Sequence, residues 1–316
     1  MTRRHFLNNT LLATGALILP LAAGNKLRAA ATATPPAPRP STPPRAPRDF
    51  KTSIMWNSVG MQGTVLEKCR AIKAAGYEAI EPMSHMNRQE VLDAANAAGL
   101  AISAVCCSTH SRKRLSDPNP AIRQEGIDGM LVALDDAKAY GADAVLFVPG
   151  FVDAKVSYDE CWERSTDGVK KLLPAAEKLK VKICFENVWN NFLLSPLEAC
   201  RYVDQFDSPF ARFYFDTGNG LTYGGWPEQW IRILGDRIAR VHIKDFSRQI
   251  ADKQGRSEGS KVPLGEGDVD WPKVMAALRA HYPAPWLTTE QGSSKTPDDL
   301  KNLFTRFAKI LKQPEA

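Results

Sequence analysis

From residue 50 onward the chain alternates short apolar runs with longer amphipathic ones, and it does so eight times. The short runs are Ser53 to Ser58, Glu78 to Pro82, Ile102 to Cys107, Ala144 to Val148, Lys182 to Glu186, Arg212 to Asp216, Ala239 to Lys244 and Trp286 to Glu290. Helical spacing fills the intervals: Val65 to Ala75, Arg88 to Ala98, Ala121 to Tyr140, Tyr158 to Leu179, Leu197 to Phe206, Pro227 to Leu234, Trp271 to His281 and Asp298 to Leu311. Strands alternating with helices pair in parallel through helical crossovers. Gly76, Gly99 and Gly141 each separate a helical stretch from the next strand, where a helix C-cap feeds an αβ loop. Eight such repeats predict an α/β fold, a closed (β/α)8 TIM barrel. An open doubly wound sheet is the rival, but no glycine-rich phosphate turn follows the first strand. With 44% hydrophobic and 24% charged residues, the chain can fill a core of that size.

The first 48 residues obey other rules. Thr2-Arg3-Arg4-His5-Phe6-Leu7 precedes an apolar stretch from Leu11 to Ala23, broken by Thr14, Gly15 and Pro20. This resembles a twin-arginine export signal, with cleavage expected between Ala22 and Ala31. The stretch is shorter than the roughly 18–20 residues a spanning helix needs, so no stable membrane span is expected after cleavage. Ala31 to Arg48 holds seven prolines and reads as an extended tether. The expected organisation is a signal peptide over 1–30, a Pro/Ala-rich disordered linker over 31–48 and a barrel over 49–316, in a protein exported to the periplasm.

This division also explains the charge. The formal net charge is +6, but residues 1–48 carry seven of the 41 bases and none of the 35 acids. The remaining 34 bases against 35 acids leave no basic face for nucleic acid. Six cysteines would invite disulfides in an exported chain, yet Cys106, Cys107 and Cys184 lie in strand-like runs as small buried hydrophobes do. Twin-arginine substrates resemble one another in crossing the membrane folded, which lets a thiol core travel intact. No Cys-x-x-Cys or Cys/His zinc spacing occurs.

In a barrel of this kind chemistry sits at the C-terminal ends of the strands. The last four runs end on Glu186, on Asp216, on His242-Ile243-Lys244-Asp245 and on Glu290. Three carboxylates and one imidazole suit a single divalent cation, with Mn²⁺ favoured and Co²⁺, Mg²⁺ or Zn²⁺ as alternatives. Unpaired carboxylates so close would otherwise repel one another. For any one of these residues a buried ion pair with Lys182, Lys244 or Arg240 is the simpler account; the strand-end register of all four favours the cation.

Residues from about Phe50 to Leu311 resemble the xylose isomerase-like barrel superfamily, and within it the sugar phosphate isomerase/epimerase group of ketose 3-epimerases and pentulose-5-phosphate 3-epimerases. The motifs that carry the likeness are Phe185-Glu186-Asn187-Val188-Trp189-Asn190-Asn191-Phe192, Phe215-Asp216-Thr217-Gly218-Asn219, Val241-His242-Ile243-Lys244-Asp245-Phe246, Leu264-Gly265-Glu266-Gly267-Asp268-Val269-Asp270-Trp271 and Thr289-Glu290. The resemblance implies that Glu186, Asp216, His242 and Glu290 ligate the metal and that Glu186 and Glu290 form the acid/base pair around a metal-stabilised cis-enediolate. It also implies substrate contacts from Asn219 and Arg248, and from Glu81 and His110 at earlier strand ends. For Glu81 an internal ion pair, and for His110 a place on a free loop, weigh equally. Trp189 is a candidate for stacking on a sugar face, with packing as the alternative. Arg112, Lys113 and Arg114 form a basic loop that could grip a phosphate, though such loops are usually solvated.

The expected partner is therefore a small-molecule sugar or keto-glycoside. Phosphorylated sugars are cytoplasmic, so export favours an unphosphorylated one. Two alternatives use the same scaffold: an exported 3-keto-glycoside lyase working through the same metal-enolate chemistry, and a non-catalytic sugar-binding barrel. A DNA-repair endonuclease of the superfamily would need more histidines than His85, His110, His242 and His281.

Overall fold

The computed structural model describes residues 49–313. The expected export signal and linker, residues 1–48, lie outside the described residues. Among the described residues nine parallel strands form one sheet: β1 Lys51–Met55, β2 Ala79–Glu81, β3 Ala101–Ile102, β4 Val105–Cys106, β5 Ala144–Phe147, β6 Lys182–Phe185, β7 Ala211–Asp216, β8 Ile238–Ile243 and β9 Trp286–Thr289. The helices are α1 Val65–Ala75, α2 Arg88–Ala98, α3 Pro120–Ala139, α4 Tyr158–Leu179, α5 Pro196–Asp204, α6 Thr217–Thr222, α7 Pro227–Leu234, α8 Arg248–Gln254, α9 Arg256–Gly259, α10 Trp271–His281 and α11 Pro297–Leu311.

The sheet order is β3-β2-β1-β9-β8-β7-β6-β5-β4, so β1 pairs with both β2 and the last strand. The two free edges belong to one stave. Ile102 to Cys107 was expected as a single strand; the chain instead leaves β2 after Ile102 and joins β5 from Val105. At the break the Ser103 amide still donates to Ile80 O (3.0 Å), and the Cys106 amide donates to Pro82 O (2.9 Å). An isolated Met83–Cys106 bridge adds to these bonds, so the ring is nearly closed, as a (β/α)8 barrel requires.

The strands bury nearly every residue, as parallel strands covered by helices must. All six residues of β8 and all four of β5 are buried. Outward residues such as Phe213, Phe215, Val241, Ile243 and Leu287 pack with the helices, while Met55, Ala104, Cys106, Leu146, Cys184 and Tyr214 fill the interior. Local signals set the helix ends. Thr64 and Glu67 form a reciprocal capping box at the start of α1. Gly76 ends that helix at φ +118, and a Cβ there would collide with the Phe304 ring. The six cysteines are all free and buried.

Three features differ from the sequence reading. The first strand stops at Met55, and Trp56–Ser58 turns as a 3-10 helix. Helix α6 was not expected, because Thr217-Gly218-Asn219-Gly220 has poor helix propensity. The Asp216 carboxylate caps it by accepting from the Gly218 (2.8 Å) and Asn219 (2.7 Å) amides. The segment Ser247 to Val262, where no helix was expected, contains α8 and α9.

Candidate metal centre

Side chains alternate along a strand, so residues two apart share one face. Arg240 and His242 on β8 both face the barrel interior, as do Tyr214 and Asp216 on β7, with Asp216 paired beside His242. The bottom of the interior is closed by Arg240, which is 4% exposed, donates to Ser103 O (3.0 Å) and pairs with Asp143. Two residues higher on the same strand His242 is fully buried, and from there upward the interior turns acidic.

Glu186, Asp216, His242 and Glu290 each offer one ligand atom, and these atoms lie within 4.8 Å of one another. Nδ1 of His242 is 3.6 Å from Glu186 Oε1, 3.6 Å from Glu290 Oε2 and 3.9 Å from Asp216 Oδ2. Neither Nδ1 of His242 nor Oδ2 of Asp216 has a hydrogen-bond partner, although both are buried. Orphaned polar atoms aimed at one point are costly unless something fills it.

Lys244, continuing the His242 face, supplies part of the balance. Its Nζ is 2.7 Å from Glu290 Oε2 and 3.7 Å from Asp216 Oδ2. One lysine still faces four carboxylates, because Glu81 lies 3.4 Å from His242 Nε2. The surplus negative charge calls for a cation, toward which a neutral His242 can offer a lone pair, and a set of three carboxylates with one imidazole suits a hard-to-borderline divalent ion. The residues therefore fit such an ion.

The electrostatics match. Burial pushes the Glu186 carboxyl up to about 7 and the Asp216 carboxyl up to about 6, against the pull of His242 on the first and of Lys244 on the second. For Glu290 burial acts in the same upward sense, but Lys244 and His242 overcome it and hold the group low, at about 2. His242 is opposed by burial, yet the surrounding carboxylates, led by Glu290, hold it well above the ordinary imidazole range.

A cavity of 490 Å³ opens over Glu290 and Lys244, with Asn57, Phe151, Trp189 and Asn219 among its walls. Glu290 is 26% exposed and Lys244 20%, whereas Glu186, Asp216 and His242 are 3% or less. Asn219 lines the cavity and donates from Nδ2 to Glu186 Oε1 (3.3 Å), so it steadies a ligand. Trp189 stands 38% exposed on the wall with the Arg256 guanidinium 5.7 Å from its ring. His110 is tied to β5, its Nδ1 accepting from the Val148 amide (3.4 Å), and burial pushes its pKa down to about 4.

Three of the residues weighed as substrate contacts, His110, Arg248 and Glu81, do not line this cavity. Arg248 packs over the Trp226 ring at 4.8 Å and donates to Gly225 O (2.5 Å), beside the ligand cluster rather than in it. Glu81 is wholly buried behind His242 and is not part of the cavity wall. In the basic loop Lys113 pairs with Glu125, while Arg114 reaches Asp153 (3.3 Å) and stacks on Phe151 at 4.1 Å.

The residues that sequence reading passed over are those that hold the cluster together. Asp245, fully buried, accepts from the amides of Phe246 (2.9 Å), Gly265 (2.9 Å), Gly267 (3.0 Å) and Val269 (3.3 Å) and from Trp271 Nε1 (3.2 Å). That cage is the reason for the glycines of Leu264 to Trp271: a Cβ on Gly267 would collide with the carboxylate. Gln291 ties the same region to the Glu290 strand, accepting from Asp245 N (2.6 Å) and donating to Val262 O (2.5 Å). Parity along the strands was the available signal for Tyr214, which shares a face with Asp216; Lys244 was weighed as an ion-pair partner, and it does pair with Glu290.

Comparison with known proteins agrees with this fold. L-ribulose-5-phosphate 3-epimerase UlaE of Salmonella paratyphi A is 24% identical over 236 residues, covering 70% of this chain and 80% of that protein. Among solved structures, 3-keto-D-glucoside 4-epimerase YcjR from E. coli superposes with a TM-score of 0.71 at 17% identity, covering 83% of this chain and 99% of that one. D-allulose 3-epimerase from Methylomonas sp., in complex with D-allulose, gives a TM-score of 0.65 at 18% identity over 85% of this chain and 99% of its own. The sequence profile of one family matches residues 69–308, most of the described chain. This chain belongs to the xylose isomerase-like TIM barrel family.

Proposed function

We propose that the protein is a divalent-metal-dependent sugar isomerase/epimerase that moves a proton at a carbon next to a carbonyl. The observation that carries this reading is the convergence of Glu186, Asp216, His242 and Glu290 ligand atoms within 4.8 Å, next to a cavity large enough for a sugar that Glu290 helps line. Its relatives, a pentulose-phosphate 3-epimerase and ketose 3-epimerases, support the same class of reaction.

When bound, the cation supplies Lewis acidity at the carbonyl and neighbouring hydroxyl oxygens of the sugar. The chain's own groups do the rest. Glu290, ionised beside Lys244 and partly open to the cavity, is placed to take the carbon-bound proton. Glu186, steadied by Asn219, is placed to return a proton from the other side. Lys244 stands where negative charge on an enediolate oxygen develops. Phe151 and Trp189 offer apolar walls for the sugar face.

The substrate we propose is an unphosphorylated ketose or keto-glycoside, met in the periplasm after a signal over 1–30 is removed and the linker over 31–48 frees the barrel. A second reading, elimination from a 3-keto-glycoside, would draw on the class of substrate named for the 3-keto-D-glucoside 4-epimerase whose fold is similar. The test is incubation of the Mn²⁺-loaded protein with free ketoses and 3-keto-glycosides in deuterated water, followed by NMR. Inversion with deuterium uptake supports the epimerase, and released aglycone supports elimination. Metal binding without exchange on any of these sugars would leave a sugar-binding barrel.

A further inference from the structure

Glu81 closes β2, yet its carboxylate does not reach the sugar cavity. It is wholly buried, and the His242 ring lies between it and the other three ligands: Nε2 is 3.4 Å from Glu81 Oε2, its nearest carboxylate, though no hydrogen bond closes between them, while Nδ1 faces Glu186, Asp216 and Glu290. Among the described residues no lysine or arginine pairs with Glu81. Oε2 accepts a hydrogen bond from the Tyr214 hydroxyl, and Oε1 has no partner. Tyr214 is itself fully buried, with its ring centroid 4.5 Å from that of His242. A buried carboxylate so sparsely partnered is costly, and its place is explained only by what it does for the imidazole.

The geometry points to Glu81 as a positioning residue: its carboxylate accepts the Nε2 proton of His242, leaving the Nδ1 lone pair to face the cation, while the Tyr214 hydroxyl holds the carboxylate in line. A neutral imidazole carries a proton on one nitrogen and a lone pair on the other. With the proton on Nδ1 the ring would donate into the ligand carboxylates and turn its Nε2 lone pair toward Glu81, repelling it. With the proton on Nε2 both sides are satisfied. Strand β7 thus supplies a ligand, Asp216, and two residues earlier the clamp, Tyr214. Partners of this kind fix the tautomer and raise the basicity of a ligating histidine.

This inference rests on the proposed metal centre, and the test separates the two. Binding of Mn²⁺ alone is measured by calorimetry for the intact protein and for Glu81→Gln and Tyr214→Phe, and the imidazole nitrogens of the Zn²⁺-loaded protein are read by ¹⁵N NMR. The expected result is a protonated Nε2 with metal on Nδ1, a loss of affinity of roughly 10- to 100-fold in Glu81→Gln, and a smaller loss in Tyr214→Phe. A role confined to packing would lower the unfolding midpoint of the metal-free protein while leaving Mn²⁺ affinity within about twofold, and that result overturns the inference. So does a wild-type spectrum with the proton on Nδ1. Should Glu81→Gln not fold, Tyr214→Phe and the wild-type spectrum decide. An intact protein that binds neither metal removes the metal centre itself, and this role with it.

Discussion

Lys244 reaches Glu290 across the barrel mouth, Nζ to Oε2 at 2.7 Å, and stands 3.7 Å from Asp216. The lysine lies close to two of the groups a cation would use. Replacing it removes a competitor and leaves the site more negative, and both effects act in the same direction. Lys244→Met is expected to bind Mn²⁺ more tightly, by up to roughly fivefold, the worth of a partly exposed ion pair of about 1 kcal/mol. Calorimetry checks this; weaker binding would mean that Lys244 organises the site rather than competing in it.

The two glutamates carry the proton-transfer reading. Glu290→Gln and Glu186→Gln are each expected to lower turnover by at least roughly 10²-fold, as loss of a general acid/base does. Solvent-deuterium exchange into the substrate measures the step directly. Near-normal exchange in either variant would take that residue out of the mechanism.

Protons and the cation compete for the same atoms. Glu186, raised to about 7, and Asp216, raised to about 6, bind protons more firmly folded than unfolded, so the metal-free protein loses their contribution as pH rises from about 4 to 7. His242, also raised, adds stability that is complete below its unfolded pKa of about 6.5 and lost as pH rises through its folded value. Glu290 acts oppositely but only between about 2 and 4.5. His110, lowered to about 4, also acts oppositely, and it does so with or without metal. The gain in Tm on adding Mn²⁺ should therefore grow from pH 5 to pH 8. A gain that shrinks over that range would place the cation away from these groups.

Asp245 gathers five donors without touching the cavity. Removing it strands those donors in the interior, so Asp245→Ala is expected to cost about 2–4 kcal/mol in urea unfolding. Because the same cage fixes the segment from Leu264 to Trp271 beside the Glu290 strand, KM should rise as well. Unchanged stability would show that the donors find other partners.

Export is tested apart from the barrel. Replacing Arg3 and Arg4 by lysine is expected to leave the full-length precursor inside the cell, as loss of a twin-arginine signal does. Cell fractionation reads the outcome, and mature protein in the periplasm despite the change would assign another route.

The barrel was legible because its signals are local and repeated: apolar runs, amphipathic intervals and glycine caps at Gly76, Gly99 and Gly141. The four residues of the candidate metal centre were legible because each lies at or within one residue of a strand end. What escaped reading depends on contacts distant in sequence. The break at Ser103 arises because one stave must leave β2 and join β5. Helix α6 depends on the Asp216 cap overriding two glycines, and α8 buries none of its residues, so no apolar period announced it. Glu81 was weighed equally as a substrate contact, which the resemblance implies, and as an internal ion pair; its depth behind His242 could not be read from its strand-end position.

All six thiols are shut inside the packed protein, where burial makes each harder to ionise. Such a protein reaches its native state with no help from an oxidant or a disulfide isomerase. Moved afterwards into oxidising surroundings, it offers no thiolate for mispairing, so the same molecule stays sound on either side of a redox boundary.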